Sequence, residues 1–335
     1  MDWIDAFLIP AIQSLVVIVG LLLFGYAYMT LVERKVAGRF TLRYGPNRAG
    51  PFGLLQPIAD AFKVIFKEEI IPSEVDKPIY VLAPGLAVFA ALSAFAVVPL
   101  GTSFTLFGRE IRLYIADVNV GILYLIAVAI VGIYGIILGG WASNNNFSLL
   151  GALRTSAQVI AYEIPMGLAL VSLVAVAGSL SLVDIVKFQQ RVPLIVLQPL
   201  GFLIYFICAL AEANRSPFDL PETENELVSG YATEYGGIKF GLFFMAEYVN
   251  MVVLSCIATA LFLGGGQWPF VNPHPLLSLA VFVVKAAVLI FLFLWIRASL
   301  PRVRYDKFMR FNWTFLLPLA LVNLALTAVG VALWG

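Results

Sequence analysis

Residues 277–299 read LSLAVFVVKAAVLIFLFLWIRAS, an apolar run of 23 residues with two charges, Lys285 in its interior and Arg297 near its end. The hydrocarbon core of a bilayer is about 30 Å thick, and roughly 20 apolar residues in a helix cross it. The run is therefore predicted to be a transmembrane helix. The composition of the whole chain agrees, because 61% of its 335 residues are hydrophobic and only 12% are charged. A water-soluble domain has about 25% charged residues.

The same length criterion finds seven further apolar runs. Together they predict an all-α integral membrane protein, a single membrane domain over residues 1–335, with eight transmembrane helices at 10–32, 79–100, 118–141, 155–178, 194–213, 239–264, 277–299 and 313–334. Pro84, Pro165 and Pro199 fall inside these runs and predict local kinks, which a bundle tolerates where neighbours satisfy the freed backbone groups. No basic residue precedes the first run, so it is expected to be a retained helix and not a cleaved signal.

Basic residues are distributed unevenly among the predicted connections. The odd-numbered connections contain 16 lysines and arginines, and the even-numbered ones contain 4. Because basic residues are retained on the cytoplasmic side, the odd connections are predicted to face the cytoplasm and both termini the opposite side. The net charge is +1 and there is no basic arm, so binding to nucleic acid is not expected.

Two connections are too long to be simple turns. In the first, a cytoplasmic loop at 33–78, one face at helical spacing is apolar and the other is polar; the apolar residues are Leu55, Ile58, Phe62, Ile65 and Phe66. This pattern predicts an amphipathic helix on the cytoplasmic membrane surface. The second, at 212–238, is an acidic cytoplasmic loop whose two prolines, Pro217 and Pro221, restrict its backbone. Apolar residues alternate with its acids, which favours a loop folded back against the membrane over a solvated one.

Four ionisable residues lie in or just inside predicted helices, namely Glu163, Glu212, Glu247 and Lys285. Each costs about 2.5–3.5 kcal/mol at the bilayer centre if it faces lipid in its charged form. They are therefore expected to face the protein interior or a hydrated cavity. Two interpretations stay open: a static ion pair between Lys285 and one glutamate, or a chain of titratable groups that carries protons part of the way across. The excess of acids over one lysine favours the second.

The positions of the two cysteines limit which redox centres this chain could hold. Cys208 and Cys256 both lie inside apolar runs, and neither belongs to a CxxC motif. This chain alone is therefore not expected to hold an iron–sulfur cluster or a structural zinc ion.

Several motifs resemble one protein family. The first long connection contains Glu33-Arg-Lys, Arg43-Tyr-Gly-Pro-Asn and Leu54-Leu-Gln-Pro-Ile-Ala-Asp-Ala-Phe-Lys63. The same family pattern continues at Gly140-Trp-Ala-Ser-Asn, Ala161-Tyr-Glu163, the segment 212–248 with its Phe-Asp-Leu-Pro-Glu stretch, and 295–306. In this order, and over nearly the whole chain, the motifs resemble the H-subunit of proton-pumping NADH:quinone oxidoreductase, respiratory complex I. The H-subunit is the quinone-chamber membrane subunit of that complex.

The resemblance implies a membrane subunit of a proton-translocating NAD(P)H- or ferredoxin-dependent quinone oxidoreductase. Such a subunit forms the quinone access tunnel and couples quinone reduction to proton translocation through buried glutamates. The tunnel residues implied are Arg34, Asp60, Lys63, Arg215, Phe218 and Asp219. The proton-coupling residues implied are Glu163, Glu212, Glu222, Glu224, Glu226, Glu234, Glu247, Tyr248, Lys285 and Arg297. No residue of this chain is expected to be catalytic or to bind a metal.

The resemblance also implies a substrate, cofactors in other subunits, partner subunits and a membrane for this chain. Quinone is the expected substrate, and flavin and iron–sulfur clusters are expected only in partner subunits. The expected partners are peripheral quinone-site and iron–sulfur subunits, adjacent small membrane subunits and antiporter-like pumping subunits, in an energy-transducing inner membrane. The electron donor stays open among NADH, ferredoxin and reduced cofactor F420, and the quinone type stays open as well.

One departure from the family bears on the proton path. Some members have a further glutamate in the third helix, where this chain reads Ala127-Val-Ala-Ile-Val131. Water, Tyr134 or a partner subunit would then have to complete the path.

Other functions stay open from the residues. A related membrane-bound hydrogenase has a membrane subunit of shared ancestry, and a secondary transporter also carries charges at the membrane midplane, although it would leave both long connections unexplained. The arginines of the first connection could simply hold anionic lipid headgroups, and a purely structural membrane anchor is the plainest alternative.

Overall fold

The computed structural model describes residues 9–101, 103–106, 109–219, 228–267 and 274–334. Within these ranges the chain is a bundle of helices with one short antiparallel hairpin, Phe104–Leu106 with Arg109–Ile111. We number the helices in chain order: α1 (Ile9–Gly20, Leu21–Ala27 and Tyr28–Phe40, continuous through a π-helical turn), α2 (Gln56–Ile65), α3 (Lys77–Ala94), α4 (Gly121–Ala142), α5 (Asn146–Ala177), α6 (Leu182–Phe188), α7 (Leu194–Leu197), α8 (Pro199–Glu212), α9 (Gly237–Phe262), α10 (Pro275–Ser299) and α11 (Tyr305–Phe311, Asn312–Leu316 and Leu317–Trp334).

Seven of these helices are long and apolar enough to cross a membrane, counted over the described residues: α1, α3, α4, α5, α9, α10 and α11. Many of their large apolar side chains are exposed on the outside of the bundle, as at Phe24 and Leu326, which are 69% and 65% exposed. Such a surface is suited to lipid, because water would be in contact with too much apolar area. The chain is therefore a multi-pass membrane protein.

The helix predicted over 194–213 is divided in the structure. The chain leaves helical geometry at Gln198 (φ −131°, ψ 54°), and α8 then begins at Pro199. Proline has no backbone N–H and its ring clashes with the preceding turn, so interrupting the helix at this point costs little free energy. Pro84 and Pro165 lie inside α3 and α5, which continue through them.

The first long connection is shorter than its composition suggests. The helix predicted to end at residue 32 continues to Phe40, so Glu33 and Arg34 are helical. The amphipathic pattern then forms α2, in which Ile58, Phe62 and Ile65 are each about half exposed.

Small residues allow the helices to approach closely. A Cβ atom at Gly135 in α4 would lie 2.9 Å from the carbonyl oxygen of Ala83 in α3, and α3 and α4 make the most extensive helix contact in the described bundle. In lipid, where the hydrophobic effect between helices is weak, such close backbone packing is a main source of association. The tight α3–α4 contact supports the wall of the cavity described below.

The functional residues are concentrated at one end of the bundle. The C-terminal ends of α1, α8 and α10 meet there with the N-terminal ends of α5, α9 and α11, through the contacts Glu33–Arg297, Arg215–Tyr248 and Tyr162–Phe308. We call this the charged end.

Candidate functional site

A buried ion cluster joins three segments at the charged end. Glu33, in the last part of α1, pairs with Arg297 near the end of α10 and with Arg215, which follows α8. The distance from Arg215 Nη1 to Glu33 Oε2 is 3.6 Å, and the two side chains are 5% and 13% exposed. Among the described residues, two guanidinium groups share this carboxylate, which gives the cluster an excess of positive charge; Arg215 and Glu33 are buried, and Arg297 is 33% exposed.

An aromatic stack extends this cluster. The guanidinium carbon of Arg215 lies 4.0 Å from the centre of the Tyr248 ring in α9, and Tyr248 contacts Tyr26 of α1 edge to face at 6.1 Å. A desolvated cation over an aromatic face is stabilised by about 2 kcal/mol. The stack therefore fixes the orientation of Arg215 relative to both α1 and α9.

Two further carboxyl groups belong to α5 and to the end of α8, three residues before Arg215. Glu212 is the last residue of α8 and is 8% exposed, while Glu163 in α5 is partly buried. The two groups interact electrostatically. Glu163 Oε1 and Glu212 Oε2 are buried and have no hydrogen-bond partner among the described residues. Because buried polar atoms are normally satisfied by protein or by ordered water, this pair is suited to hydration.

A cavity of about 100 Å³ connects Glu212 with a third acid, Glu247 of α9. Its remaining wall is mostly apolar and small, with Ala129 and Gly132 contributed by α4. Glu247 accepts a hydrogen bond of 2.8 Å from the hydroxyl of Tyr231, which also lines the cavity. Two of the three acids expected from the sequence therefore line one cavity, and the third, Glu163, interacts electrostatically with Glu212.

Tyr134 does not line this cavity among its described walls, and its side chain is 56% exposed. Tyr134 is therefore not among the described residues that could complete the path through this cavity.

The described part of the acidic connection is held against the bundle. Asp219 is 5% exposed and accepts a hydrogen bond of 2.9 Å from Nη2 of Arg302. The Phe218 ring lies 4.5 Å from Phe308 and 6.1 Å from Tyr162, measured between ring centres. This part of the connection is packed and not solvated. Three of its predicted acids, Glu222, Glu224 and Glu226, lie outside the described residues.

Glu234 lies in a separate group at the same end. Its carboxylate accepts a hydrogen bond from the side-chain amide of Asn145, and its carbonyl oxygen accepts one of 2.6 Å from the hydroxyl of Tyr80. The neighbouring Tyr235 stacks on Tyr80 with ring centres 4.1 Å apart, and burial raises the pKa of the Tyr235 phenol. Glu234 therefore anchors the start of α9 and does not contact the Arg215 cluster through any described contact.

The remaining predicted tunnel residues lie on the surface between α1 and α2. Arg34 Nη1 and Asp60 Oδ2 form an ion pair of 2.8 Å, with side chains 52% and 34% exposed. Gln56 donates a hydrogen bond of 2.9 Å to the other oxygen of Asp60, and Lys63 is exposed. This polar link ties α2 to α1.

Lys285 is not brought to the cluster. Its ammonium group donates to three backbone carbonyls just beyond the end of α9, those of Leu263, Gly265 and Gln267, at 2.6, 3.0 and 2.7 Å. Twelve residues separate it from Arg297, which is about 18 Å along a helix. A lysine has three donors, so these carbonyls satisfy it without a carboxylate.

Within the described part of the chain, no group of three or more His, Cys, Asp or Glu side chains is placed to hold a metal ion.

Known proteins resemble this chain over almost its whole length. A family sequence profile described as NADH dehydrogenase matches residues 12–328. The H-subunit of NADH-quinone oxidoreductase from Thermomicrobium roseum is 50% identical over 100% of this chain and 99% of its own length. The H-subunit numbered 2 in Syntrophobacter fumaroxidans is 48% identical over the same shares, and that of Protochlamydia amoebophila is 51% identical over 90% of this chain and 91% of its own.

The chain belongs to the H-subunit family of NADH-quinone oxidoreductase. The resemblance inferred from the motifs is confirmed. The motifs that carried it, including Glu33-Arg-Lys and Ala161-Tyr-Glu163, lie at or near the charged end, where the structure places Arg215, Tyr248 and Arg297 of the predicted site residues.

Sequence reasoning on this member of the H-subunit family missed several residues that contact the site. Glu33, Gln158, Tyr26 and Arg302 contact predicted site residues, yet none was assigned a role. Glu33 carried a signal, because it is an acid among basic residues at the end of an apolar run. Nothing in a single sequence indicates that Gln158 has a role in the site.

Proposed function

We propose that this chain is the membrane subunit of a proton-translocating quinone oxidoreductase, in which it forms the quinone access tunnel and converts quinone reduction into proton movement. The observation that carries the proposal is the buried cluster of Glu33, Arg215 and Arg297. It lies next to the electrostatically coupled acids Glu163 and Glu212.

The excess positive charge of the cluster suits a quinone that gains electrons. Reduction places negative charge on the quinone oxygens, and preorganised cations stabilise charge that develops in a site away from water. Arg215 is 5% exposed and is fixed by Glu33 and Tyr248, so it does not need to reorganise during the reaction. Nearby acids then supply the protons that the reduced quinone takes up.

The tunnel would begin between α1 and α2. The exposed apolar face of α2, with Ile58 and Phe62, offers a path for an isoprenoid tail, and the Arg34–Asp60 ion pair marks the polar rim. Lys63 lies on the same helix, exposed at that rim. From there the tunnel would lead past Phe218 and Asp219 to the cluster. Glu222, Glu224, Glu226 and Glu234 would continue the charged loop beneath the headgroup site.

Protons would then pass from the acidic connection into the bundle. Glu212 and Glu163 repel each other when both are charged, so the charge on one acid depends on that of the other. The cavity leads from Glu212 to Glu247 and Tyr231, and water would hydrate the buried oxygens of the acid pair. Beyond α4, which has no acid between Ala127 and Val131, a partner subunit would continue the path.

The membrane arrangement we propose has eight crossings. α8 has 14 residues, about 21 Å, which is shorter than the bilayer core. Together with α7 the segment Leu194–Glu212 approaches the required length. The charged end would face the cytoplasm, because the connections that hold it contain most of the basic residues, and α2 would lie along the membrane surface.

The relatives are named as subunits of NADH-quinone oxidoreductase, so this chain would work within a complex. Flavin and iron–sulfur clusters would belong to peripheral partner subunits. Small membrane subunits and antiporter-like pumping subunits would adjoin it in an energy-transducing inner membrane.

The experiment that tests the proposal combines isolation with labelling. Membranes solubilised in mild detergent are purified through a tag on this chain, and the copurifying chains are identified by mass spectrometry. A photoreactive quinone is then added to the isolated assembly, and labelled peptides are mapped. We expect iron–sulfur subunits to copurify and the label to fall on α1, α2 or the segment around Phe218.

A matched control makes the labelling specific. An excess of unreactive quinone should abolish the label, and Arg215→Met should weaken labelling near Phe218 while leaving the set of copurifying chains unchanged. Isolation of this chain alone or as a homo-oligomer would favour a transporter and contradict the proposal. Copurification with hydrogenase subunits and no quinone label would assign it to that class.

A further inference from the structure

Gln158 of α5 clamps the segment that joins α8 to the acidic connection. Its side chain is fully buried. The amide nitrogen donates to the carbonyl oxygens of Ala211 and Phe218, both at 2.9 Å, and lies 3.4 Å from Oδ1 of Asn214. A primary amide has two N–H donors, so both are used on two carbonyls that are seven residues apart in sequence.

The clamped segment carries two charged groups of the site. Glu212 and Arg215 both lie between the two carbonyls that Gln158 binds. The chain turns sharply within this interval, where Asn214 has a positive φ of 48°. Asparagine tolerates this left-handed geometry better than most residues. The Gln158 amide nitrogen lies 3.4 Å from its side-chain oxygen, so Gln158 contacts the turn from inside the bundle.

Two contacts hold the segment from the side of α11. The backbone N–H of Val303 donates to the carbonyl of Pro217 at 3.1 Å, and Arg302 binds Asp219. These hold the segment to the connection before α11. Gln158 is therefore the described side chain that ties both ends of the turn to α5, the helix that also carries Glu163.

We propose that Gln158 is a positioning residue for the coupling step. Gln158 fixes the spacing between the Glu212 carboxyl group and the Arg215 guanidinium group. It also fixes the position of Glu212 relative to Glu163, which lies on α5 together with Gln158. The inference rests on the proposed function, in which Arg215 responds to quinone charge and Glu212 passes the proton on. Gln158 itself touches neither quinone nor a proton in transit.

The test replaces the amide and measures coupling in the intact complex. Gln158→Met keeps a similar volume and removes both donors. Gln158→Asn keeps an amide but shortens the side chain, so that it reaches one carbonyl and not both. The complex is reconstituted into proteoliposomes, and protons translocated per electron are recorded with the KM and kcat for a short-chain quinone.

We expect the Met variant to lower the proton-to-electron ratio roughly twofold or more, since small displacements of reacting groups have large effects. Its kcat for quinone reduction should fall less than its coupling ratio, and the Asn variant should be intermediate. If the Met variant fails to assemble, the proton-to-electron ratio of the Asn variant tests the proposal. A wild-type ratio in an assembled variant would overturn the proposal.

Gln198 and Gln189 provide matched controls. Both are buried glutamines with hydrogen-bonded amides, 5% and 2% exposed, and they tie helices together at the other end of the bundle. Gln198→Met and Gln189→Met should lower the yield of assembled complex without changing its coupling ratio. A coupling loss of equal size in these controls would make the role of Gln158 merely structural and would also overturn the proposal.

Glu212→Gln, measured in parallel, separates the two hypotheses. If Glu212→Gln retains full coupling, the proposed function fails. If Glu212→Gln uncouples the complex while both Gln158 variants remain coupled, only the positioning role fails.

Discussion

Replacing Glu33 by glutamine should destabilise the charged end more than any other single change of charge there. The variant leaves Arg215 and Arg297 close together without the carboxylate that they share. Glutamine has nearly the same shape, so the packing of α1 is retained and the lost charge is the main effect. The repulsion between the two guanidinium groups is then no longer screened by an anion.

The magnitude follows from the geometry. Over the 3.6 Å between Arg215 Nη1 and Glu33 Oε2, opposite unit charges attract by about 4.6 kcal/mol at an effective dielectric constant of 20. Removal of one member of a buried ion pair lowers the free energy of unfolding by about 3–5 kcal/mol. With both side chains under 15% exposed, the buried value applies, and we expect a loss of about 3–5 kcal/mol.

The assay is thermal dissociation of the purified complex, followed by native electrophoresis and by residual quinone reductase activity. At about 2 °C per kcal/mol for a chain of this size, Glu33→Gln should lower the midpoint by about 6–10 °C. The matched control is Arg34→Gln, one residue further along α1. Its ion pair with Asp60 is shorter, 2.8 Å, but Arg34 is 52% exposed, so the expected loss is under about 1 kcal/mol.

Equal shifts for Glu33→Gln and Arg34→Gln would refute this reasoning, because the argument depends on burial and not on distance. The double variant Glu33→Gln with Arg297→Gln adds a second check. It should recover part of the stability, since one of the two unpaired cations is removed.

Three further predictions follow from the packing and the hydrogen bonds. Lys285→Met should lower the same thermal midpoint, because three carbonyls lose their donor, and should leave the proton-to-electron ratio unchanged; a changed ratio would place Lys285 in the proton path. Gly135→Ala should cost about 1–3 kcal/mol of stability, because the new Cβ would lie 2.9 Å from the backbone of α3. Gly85→Ala, which has open space, should be neutral in the same assay, and equal effects would contradict the packing argument. Glu247→Gln and Tyr231→Phe should each reduce proton translocation, and the double variant should lose little more than the worse single variant, because the two side chains share one hydrogen bond; additive losses would count against that link.

The transmembrane helices could be predicted because length and hydrophobicity determine them. A run such as 277–299 has one structure compatible with a bilayer, and the observed α10, Pro275–Ser299, differs from the prediction by two residues at its start. The division of the segment 194–213 into two helices was harder to predict, because its composition is as apolar as that of the other runs. Kinks were predicted at Pro84, Pro165 and Pro199, yet of these three prolines Pro199 alone divides its helix, with a break at Gln198. The sequence does not distinguish a proline that a helix accommodates from one that ends it.

The end of α1 shows how tertiary contacts extend a helix beyond an apolar run. The charges at Glu33 and Arg34 predicted a loop, since such residues rarely continue a membrane helix. In the structure both are paired, with Arg215 and Arg297 in one case and with Asp60 in the other. Partners that satisfy a charge from distant parts of the chain leave no local pattern from which the helix end could be read.

The site was predictable to the extent that its chemistry is rare in membranes. Buried acids such as Glu163 and Glu212 are conspicuous in apolar sequence, and the structure places them together. Lys285 was equally conspicuous, but its partners are backbone carbonyls, which every residue has and no sequence pattern distinguishes. Gln158 was inconspicuous, because its role depends on two carbonyls whose positions only the fold determines.

The most direct measurement of the central claim is the proton yield of the reconstituted complex when Glu163 or Glu212 is replaced by glutamine. Quinone reduction and internal acidification are recorded in the same vesicles, with subunit content checked by mass spectrometry. The account predicts that both variants assemble and that protons per electron fall to near the background. Variants that assemble and translocate protons at the wild-type yield would contradict it.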